Sequence, residues 1–332
     1  MSVLLSGAGG CTWLFYHPSR AVLGEPYVAH EDVRLRTSDG LLLHGWYFPA
    51  AAGQRKRGTL VQFHGNAGNL TSHFLSLAWV TLYGWDFLAF DYRGYGRSAG
   101  EPSASGLQRD ALAAMRWAIA NEAGRRPVFL YGQSLGGAVL ADAFVELGEH
   151  EKSAVAGLVL EGTFHSYPEV AASITWRHPL LFPFTGVAYT CVSDAHDPAP
   201  ALRHISPVPV LVVHGDRDQV VPPRFGQVVH DLARAPRELW IVPGAGHLNV
   251  LDEPSVRDRL LAWFQVQSTR WSRSTAVGGP HPEPGGTPPG RVPAARAPRE
   301  SFRSPALRRD RRNADSQCSS AHESPKRSLL RR

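Results

Sequence analysis

Between residues 32 and 48 the chain reads DVRLRTSDGLLLHGWYF. Apolar and polar positions alternate on either side of Ser38-Asp39-Gly40, the period-two pattern of a β-hairpin that turns at Asp39-Gly40. Beyond it the pattern changes. Short apolar runs at 59–63, 86–90, 128–131, 157–160, 210–213 and 238–242 alternate with stretches of helical spacing. These runs are too apolar for half-exposed strands and fit parallel strands covered on both faces. In SGLQRDALAAMRWAIANEAG, Leu107, Ala111, Ala114, Met115 and Ala118 share one helical face. Val256, Leu260, Trp263 and Phe264 do the same in EPSVRDRLLAWFQVQS. A hairpin followed by strand–helix repeats predicts an α/β fold over residues 31–270. Its mostly parallel twisted sheet has an N-terminal antiparallel hairpin and helices on both faces.

One connection, residues 162–208, is longer than the rest and holds Phe164, Tyr167, Trp176, Phe182, Phe184 and Tyr189. It has room for a small cap over the C-terminal edge of the sheet, where open α/β sheets bind ligands.

The ends of the chain read differently. Residues 272–332 carry 13 Lys and Arg against 5 Asp and Glu, so the chain's net charge of +6 sits in this stretch and the preceding 271 residues carry −2. With Phe302 as its one aromatic residue and no apolar period, this stretch cannot bury enough surface to offset chain entropy. We read residues 271–332 as a disordered basic tail rich in Pro, Gly and Arg, with no nucleic-acid partner expected, since it lacks aromatics that stack on bases. Residues 1–30 form an N-terminal apolar segment. The run up to Tyr16 is uncharged and shorter than a spanning helix. It reads as a segment packed on the domain, a shortened membrane anchor, or a lipidation signal with Cys11 as the modified residue. Peripheral membrane contact stays open, and the location is cytoplasmic or membrane-associated. Three cysteines, Cys11, Cys191 and Cys318, are odd in number and far apart, which suggests neither a disulfide framework nor a metal knuckle.

Gly132-Gln133-Ser134-Leu135-Gly136 fits G-x-S-x-G between an expected strand and an expected helix, the context of a nucleophile elbow. Such a turn forces the serine into a strained backbone and leaves room only for glycine nearby. The plainer alternative is a glycine-rich turn with a capping serine. A hydroxyl nucleophile needs a base, and the base an orienting acid. VLVVHGDRDQVVP ends a strand and offers Asp216 and Asp218; LWIVPGAGHLNV ends another and offers His247. Ser134, Asp218 and His247 follow the order serine, acid, histidine, each just past a strand. One of the two aspartates is expected to be a turn residue, and Glu161 is a rival acid. For the oxyanion, the candidate donors are the backbone N–H groups of Leu135 and of Asn66, in the glycine-containing loop HGNAGN.

The stretches HGNAGN, FDYRGYGRSAGEPS, YGQSLGG, EGTFHS, HGDRDQVVP and GAGHLN together resemble the α/β-hydrolase superfamily over about residues 19–267. The subgroup resembled is that of single-domain serine hydrolases, including proline-iminopeptidase-like bacterial hydrolases and depalmitoylating α/β-hydrolase-domain proteins. The resemblance implies a Ser134–Asp218–His247 triad, since the family's HGxxD pattern puts the acid four residues after the histidine, here His214. It implies a structural role for Arg93, which would tie loops together beneath the site. The expected activity is hydrolysis of a carboxylic ester or thioester of a small or lipid-like acyl substrate, with no cofactor and no metal. Aminopeptidase-like hydrolysis is the alternative, and a non-catalytic binding protein on the same scaffold the second. Amino-terminal peptidases of this superfamily usually use acidic residues from a larger cap to hold the substrate's amine; the cap-like segment here is short, aromatic and modestly acidic.

Overall fold

A computed structural model describes residues 16–26, 28–177, 180 and 182–277. The hairpin forms as expected: β1 (Glu31–Arg36) pairs antiparallel with β2 (Leu42–Phe48), with Arg36 opposite Leu42. Gly40 closes the turn at φ +87°, donating to the Thr37 carbonyl. The chain continues through β3 (Gly58–Phe63), the short helix α1 (Leu70–His73) with 3-10 turns behind it, and β4 (Trp85–Phe90). Next come α2 (Ala104–Glu122), β5 (Val128–Gln133), α3 (Leu135–Phe144), α4 (Glu149–Ser153) and β6 (Val155–Glu161). The cap segment holds α5 (Tyr167–Arg177), a 3-10 turn at Phe182–Phe184, α6 (Thr185–Cys191) and α7 (Pro198–Leu202). The domain ends with β7 (Val210–Gly215), α8 (Pro223–Leu232), β8 (Arg237–Val242) and α9 (Pro254–Val277).

The eight strands form one sheet in the order β1-β2-β4-β3-β5-β6-β7-β8. The β1–β2 and β2–β4 pairs are antiparallel and the rest parallel. Strands β3 to β7 are buried along their whole length, as their apolar runs require. Strand β8 departs from that expectation. It is the sheet edge, with Glu238 and Ile241 both exposed.

Alternate residues of each strand feed two separate cores. Val128 and Leu130 pack with α2, α3 and α8, through Leu107, Met115, Leu140 and Phe225. Phe129 and Tyr131 pack on the opposite face with Leu260, Trp263 and Phe264 of α9. The period-two geometry of a strand thus turns one apolar run into two cores.

Two chain-end expectations need correction or completion. Helix α9 runs on to Val277, so residues 271–277 are not part of an unstructured tail. Trp271 is buried there and donates its Nε1–H to the Ser153 carbonyl at 2.7 Å. One anchored tryptophan, without apolar periodicity around it, carries those last turns. The remainder of the expected tail, 278–332, and residues 1–15 with Cys11 lie outside the described residues. From Tyr16 onward the N-terminal segment packs on the domain: Tyr16 is buried and Pro18 bridges to Gly68. No helix among the described residues is long and apolar enough to cross a membrane.

Candidate active site

Strand β5 runs into α3 at Ser134, whose backbone sits at φ +51°, ψ −117°. A non-glycine residue there is strained by an amount of order 1–3 kcal/mol and persists only because its surroundings hold it. The Ser134 N–H donates to the Glu161 carbonyl (2.8 Å), and its carbonyl accepts from Thr163 Oγ1 (2.7 Å) and the Gly137 N–H (3.0 Å). Its side chain makes no capping hydrogen bond, which removes the plain capping role. The flanking glycines have definite causes. A Cβ on Gly132 would lie 2.5 Å from the Gly137 Cα, and one on Gly136 only 2.0 Å from the Phe63 carbonyl oxygen. The first turn of α3 therefore abuts the end of β3, beside the loop that follows it.

That loop begins at His64. Burial, then the neighbouring His73, pushes the His64 pKa down to about 3, so the ring is neutral; its Nδ1 donates to the Gly65 carbonyl at 2.7 Å. The His64 ring stacks on that of His73, whose Nε2 donates to the Ala67 carbonyl (2.7 Å). Asn66 is held by its side chain: its Oδ1 accepts from the His17 N–H (2.9 Å) and from the Tyr95 hydroxyl (3.0 Å). The Asn69 amide reaches back to the carbonyls of Ser19 (3.0 Å) and Ala21 (2.7 Å). The N-terminal segment is thus stitched along the loop that carries Asn66. Nothing in the sequence around His17 signals this. The only hint is the tyrosine at position 95 within DYRGYG.

Beyond β7, Asp218 lies buried. Its Oδ1 accepts the Val220 and Val221 N–H groups, both at 2.8 Å. Its Oδ2 lies 2.8 Å from His247 Nδ1 and 3.2 Å from His214 Nε2, which also donates to the Val221 carbonyl. Burial opposes ionisation of this carboxyl, but hydrogen bonds from His214 and His247 and the facing His247 charge hold its pKa well below the usual range. Asp216, by contrast, is exposed and accepts the Gly244 N–H at 2.7 Å, tying the β7 loop to the one after β8. It is the turn residue of the two. Glu161 has other hydrogen-bond partners. Its Oε2 accepts from Gln133 Nε2 (2.8 Å) and the Tyr131 hydroxyl (3.1 Å), in a network that continues to Gln62, and burial raises its pKa.

Arg93 has the structural place expected of it. Its guanidinium pairs with Asp39 of the hairpin turn (2.9 Å) and with Asp110 of α2 (2.8 Å).

Ser134, Leu135, Asn66 and His247 line one cavity of about 920 Å³ at the C-terminal edge of the parallel strands. Most of its other wall is apolar and comes from the cap, including Val170, Ile174, Phe184 and Val187; His17 and His73 line it too. Cys191, a free cysteine, also lines it. The cap aromatics divide: Phe164 and Tyr167 are buried, whereas Trp176, Phe182, Phe184 and Tyr189 are exposed.

A family described as serine aminopeptidase, S33, matches residues 54–188, a span that contains Asn66 and Ser134 but neither Asp218 nor His247. The protein YfhR of Salmonella typhimurium is 30% identical over 265 residues, covering 76% of this chain and 87% of that one. A rat protein named lysophosphatidylserine lipase ABHD12 is 33% identical over 204 residues, 58% of this chain and 49% of the relative. Among solved structures, an esterase of Pyrococcus furiosus superposes with a TM-score of 0.61 at 19% identity, covering 76% of this chain and 98% of the other. The sheet order, the serine turn and the extent of these similarities agree: the chain belongs to the α/β-hydrolase superfamily.

Proposed function

We propose that this chain is a serine hydrolase that cleaves a carboxylic ester or thioester of a lipid-like acyl group. The observation that carries this reading is the hydrogen bond between His247 Nδ1 and the ionised Asp218, with His247 and the strained Ser134 lining the same cavity. With Nδ1–H held by Asp218, the His247 ring presents Nε2 as the proton acceptor. In this scheme His247 Nε2 takes the Ser134 hydroxyl proton as Oγ attacks the substrate carbonyl carbon. The N–H groups of Leu135 and Asn66 receive the negative charge on the carbonyl oxygen. Collapse expels the alcohol or thiol, which leaves with the proton from His247, and the acyl group stays on Ser134. Water, deprotonated by the same imidazole, then attacks the acyl-enzyme and releases the acid.

The apolar cavity wall supports an acyl substrate. The rat relative's name, a lipase for lysophosphatidylserine, agrees with an ester. An aminopeptidase needs a carboxylate to hold the substrate's α-ammonium group. Among the described residues, none of the cavity wall is Asp or Glu, and this sets the peptidase reading second. The test is direct. The purified chain should hydrolyse p-nitrophenyl esters and acyl thioesters and react covalently with a fluorophosphonate probe. Cleavage of aminoacyl amides alone would replace the ester reading, and no reaction with any of them would end the enzyme reading.

The cradle of Asn66 gives a second expectation. Tyr95→Phe removes a donor to the Asn66 side chain and so loosens the loop bearing the Asn66 N–H. The expected result is a kcat lower by about tenfold with KM nearly unchanged. A loss of thermal stability with kcat intact would reduce Tyr95 to a structural contact.

A further inference from the structure

The cap presents several large aromatic side chains to solvent. Trp176 is 63% exposed, Phe184 57%, Tyr189 52% and Phe182 48%, all within the segment from α5 to α6. Exposed aromatics concentrated on one small element mark a contact surface rather than scattered surface residues. Trp176 and Phe182 meet edge to face at 4.8 Å, so they form one feature.

Two further observations say what covers this face. First, it is continuous with the cavity. Ile174, Phe184, Val187 and Val220 all line the cavity, and each is more than 40% exposed at the surface. An apolar chain would therefore pass from outside to Ser134 along apolar side chains. Second, the rim is cationic. Arg177, next to Trp176, lays its guanidinium on the carbonyls of Ser173, Gln219 and Val220, and Arg224 donates to Ser173 Oγ. Neither arginine pairs with a carboxylate among the described residues. Burial, then the nearby Arg224 charge, pulls the Arg177 pKa below its usual value, against the opposing pull of the Asp218 carboxylate. A second copy of the chain would bring the same guanidiniums again, whereas anionic headgroups neutralise them.

We infer that the cap face around Trp176, Phe182 and Phe184, flanked by Arg177 and Arg224, docks on an anionic lipid surface, so that an acyl chain enters the cavity directly from the lipid. This rests on the acyl-hydrolase reading of the cavity, but its test is separate. Apolar anchors inserted at the headgroup boundary supply the attachment, and basic residues beside them add attraction to anionic lipid.

The test uses the full chain and sedimentation with lipid vesicles, either pure phosphatidylcholine or phosphatidylcholine with added phosphatidylglycerol. High salt is included because attraction through the basic residues 278–332 is screened there and apolar insertion is not. Wild type should pellet with the mixed vesicles and remain bound in high salt. The double variant Trp176→Ser, Phe182→Ser, neither residue lining the cavity, should bind more weakly by a factor on the order of ten or more. Its turnover of a soluble short-chain p-nitrophenyl ester should be unchanged. Arg224→Gln should weaken binding to the mixed vesicles in low salt by about fivefold and leave binding to phosphatidylcholine alone unaltered.

The inference is overturned if wild type pellets with neither vesicle, or if the double variant pellets as wild type does. It is also overturned if gel filtration shows a wild-type dimer that the double variant turns into a monomer, which would make this face an interface between copies. Loss of ester turnover in wild type itself would strike the acyl-hydrolase reading instead and leave the vesicle result standing.

Discussion

Ser134→Ala is expected to lower p-nitrophenyl ester turnover by a factor on the order of 10⁶ and to abolish labelling by a fluorophosphonate, with the fold retained. The size of the effect follows from the geometry. Ser134 is held at φ +51° by hydrogen bonds that use only its backbone N–H and carbonyl. Alanine keeps both, and its methyl group occupies the same space without the hydroxyl. The substitution therefore removes the nucleophile without relieving the turn, and thermal stability should change little. Residual turnover within about tenfold of wild type would mean that another group attacks the substrate, and the proposed mechanism would fail. The comparison needs no knowledge of the natural substrate, because a short activated ester tests the chemistry and not the cavity's preference.

The second large effect separates two neighbouring aspartates. Asp218→Asn should lower kcat by about 10⁴-fold, the cost of leaving the base without the carboxylate that orients it and stabilises its charged form. Asp216→Asn should leave kcat within about twofold, because its carboxylate only receives the Gly244 N–H of a neighbouring loop, a role the amide oxygen keeps. Equal activity of both variants with wild type would remove Asp218 from the mechanism. A pH signature accompanies the effect. The pKa of Asp218 is depressed in the folded protein, so its ionised form contributes stability at pH values above the unfolded carboxylate's pKa of about 3.9, and the contribution is lost as pH falls. The stability gap between wild type and Asp218→Asn should accordingly be widest near neutral pH and close in acid, which thermal melts across that range would read.

Much of the scaffold was legible because it is encoded locally. The runs at 59–63, 86–90, 128–131, 157–160, 210–213 and 238–242 all lie within observed strands, and the first five are buried throughout, since a doubly covered strand must be apolar along its length. The helical face of Leu107, Ala111, Ala114, Met115 and Ala118 is buried in full. The strain at Ser134 was legible too, because the spacing of its glycines is a backbone requirement of the turn.

What stayed hidden depends on residues far apart in the chain. Polarity dominates residues 271–277 locally and reads as tail, yet Trp271 reaches Ser153, 118 positions away, and the helix runs on to Val277. The aromatic content of 162–208 suggested a cap. Composition has no means of dividing buried Phe164 and Tyr167 from exposed Trp176 and Phe182, since burial is a property of neighbours.

Local pattern is enough to lay out the strands in order and to set Asn66, Ser134, Asp218 and His247 each just beyond one, because periodicity and turn chemistry act over a few residues. The folded arrangement is needed to see which aspartate touches His247, 29 positions further on, and that Glu161 accepts from Gln133 and Tyr131. It alone placed His17 on the side chain of Asn66, 49 positions away, and left the cap aromatics facing outward. The physical reason is common to all of these. Hydrogen bonds and packing between distant segments are set by how the sheet brings its loops to one edge, and no local pattern of residues records that.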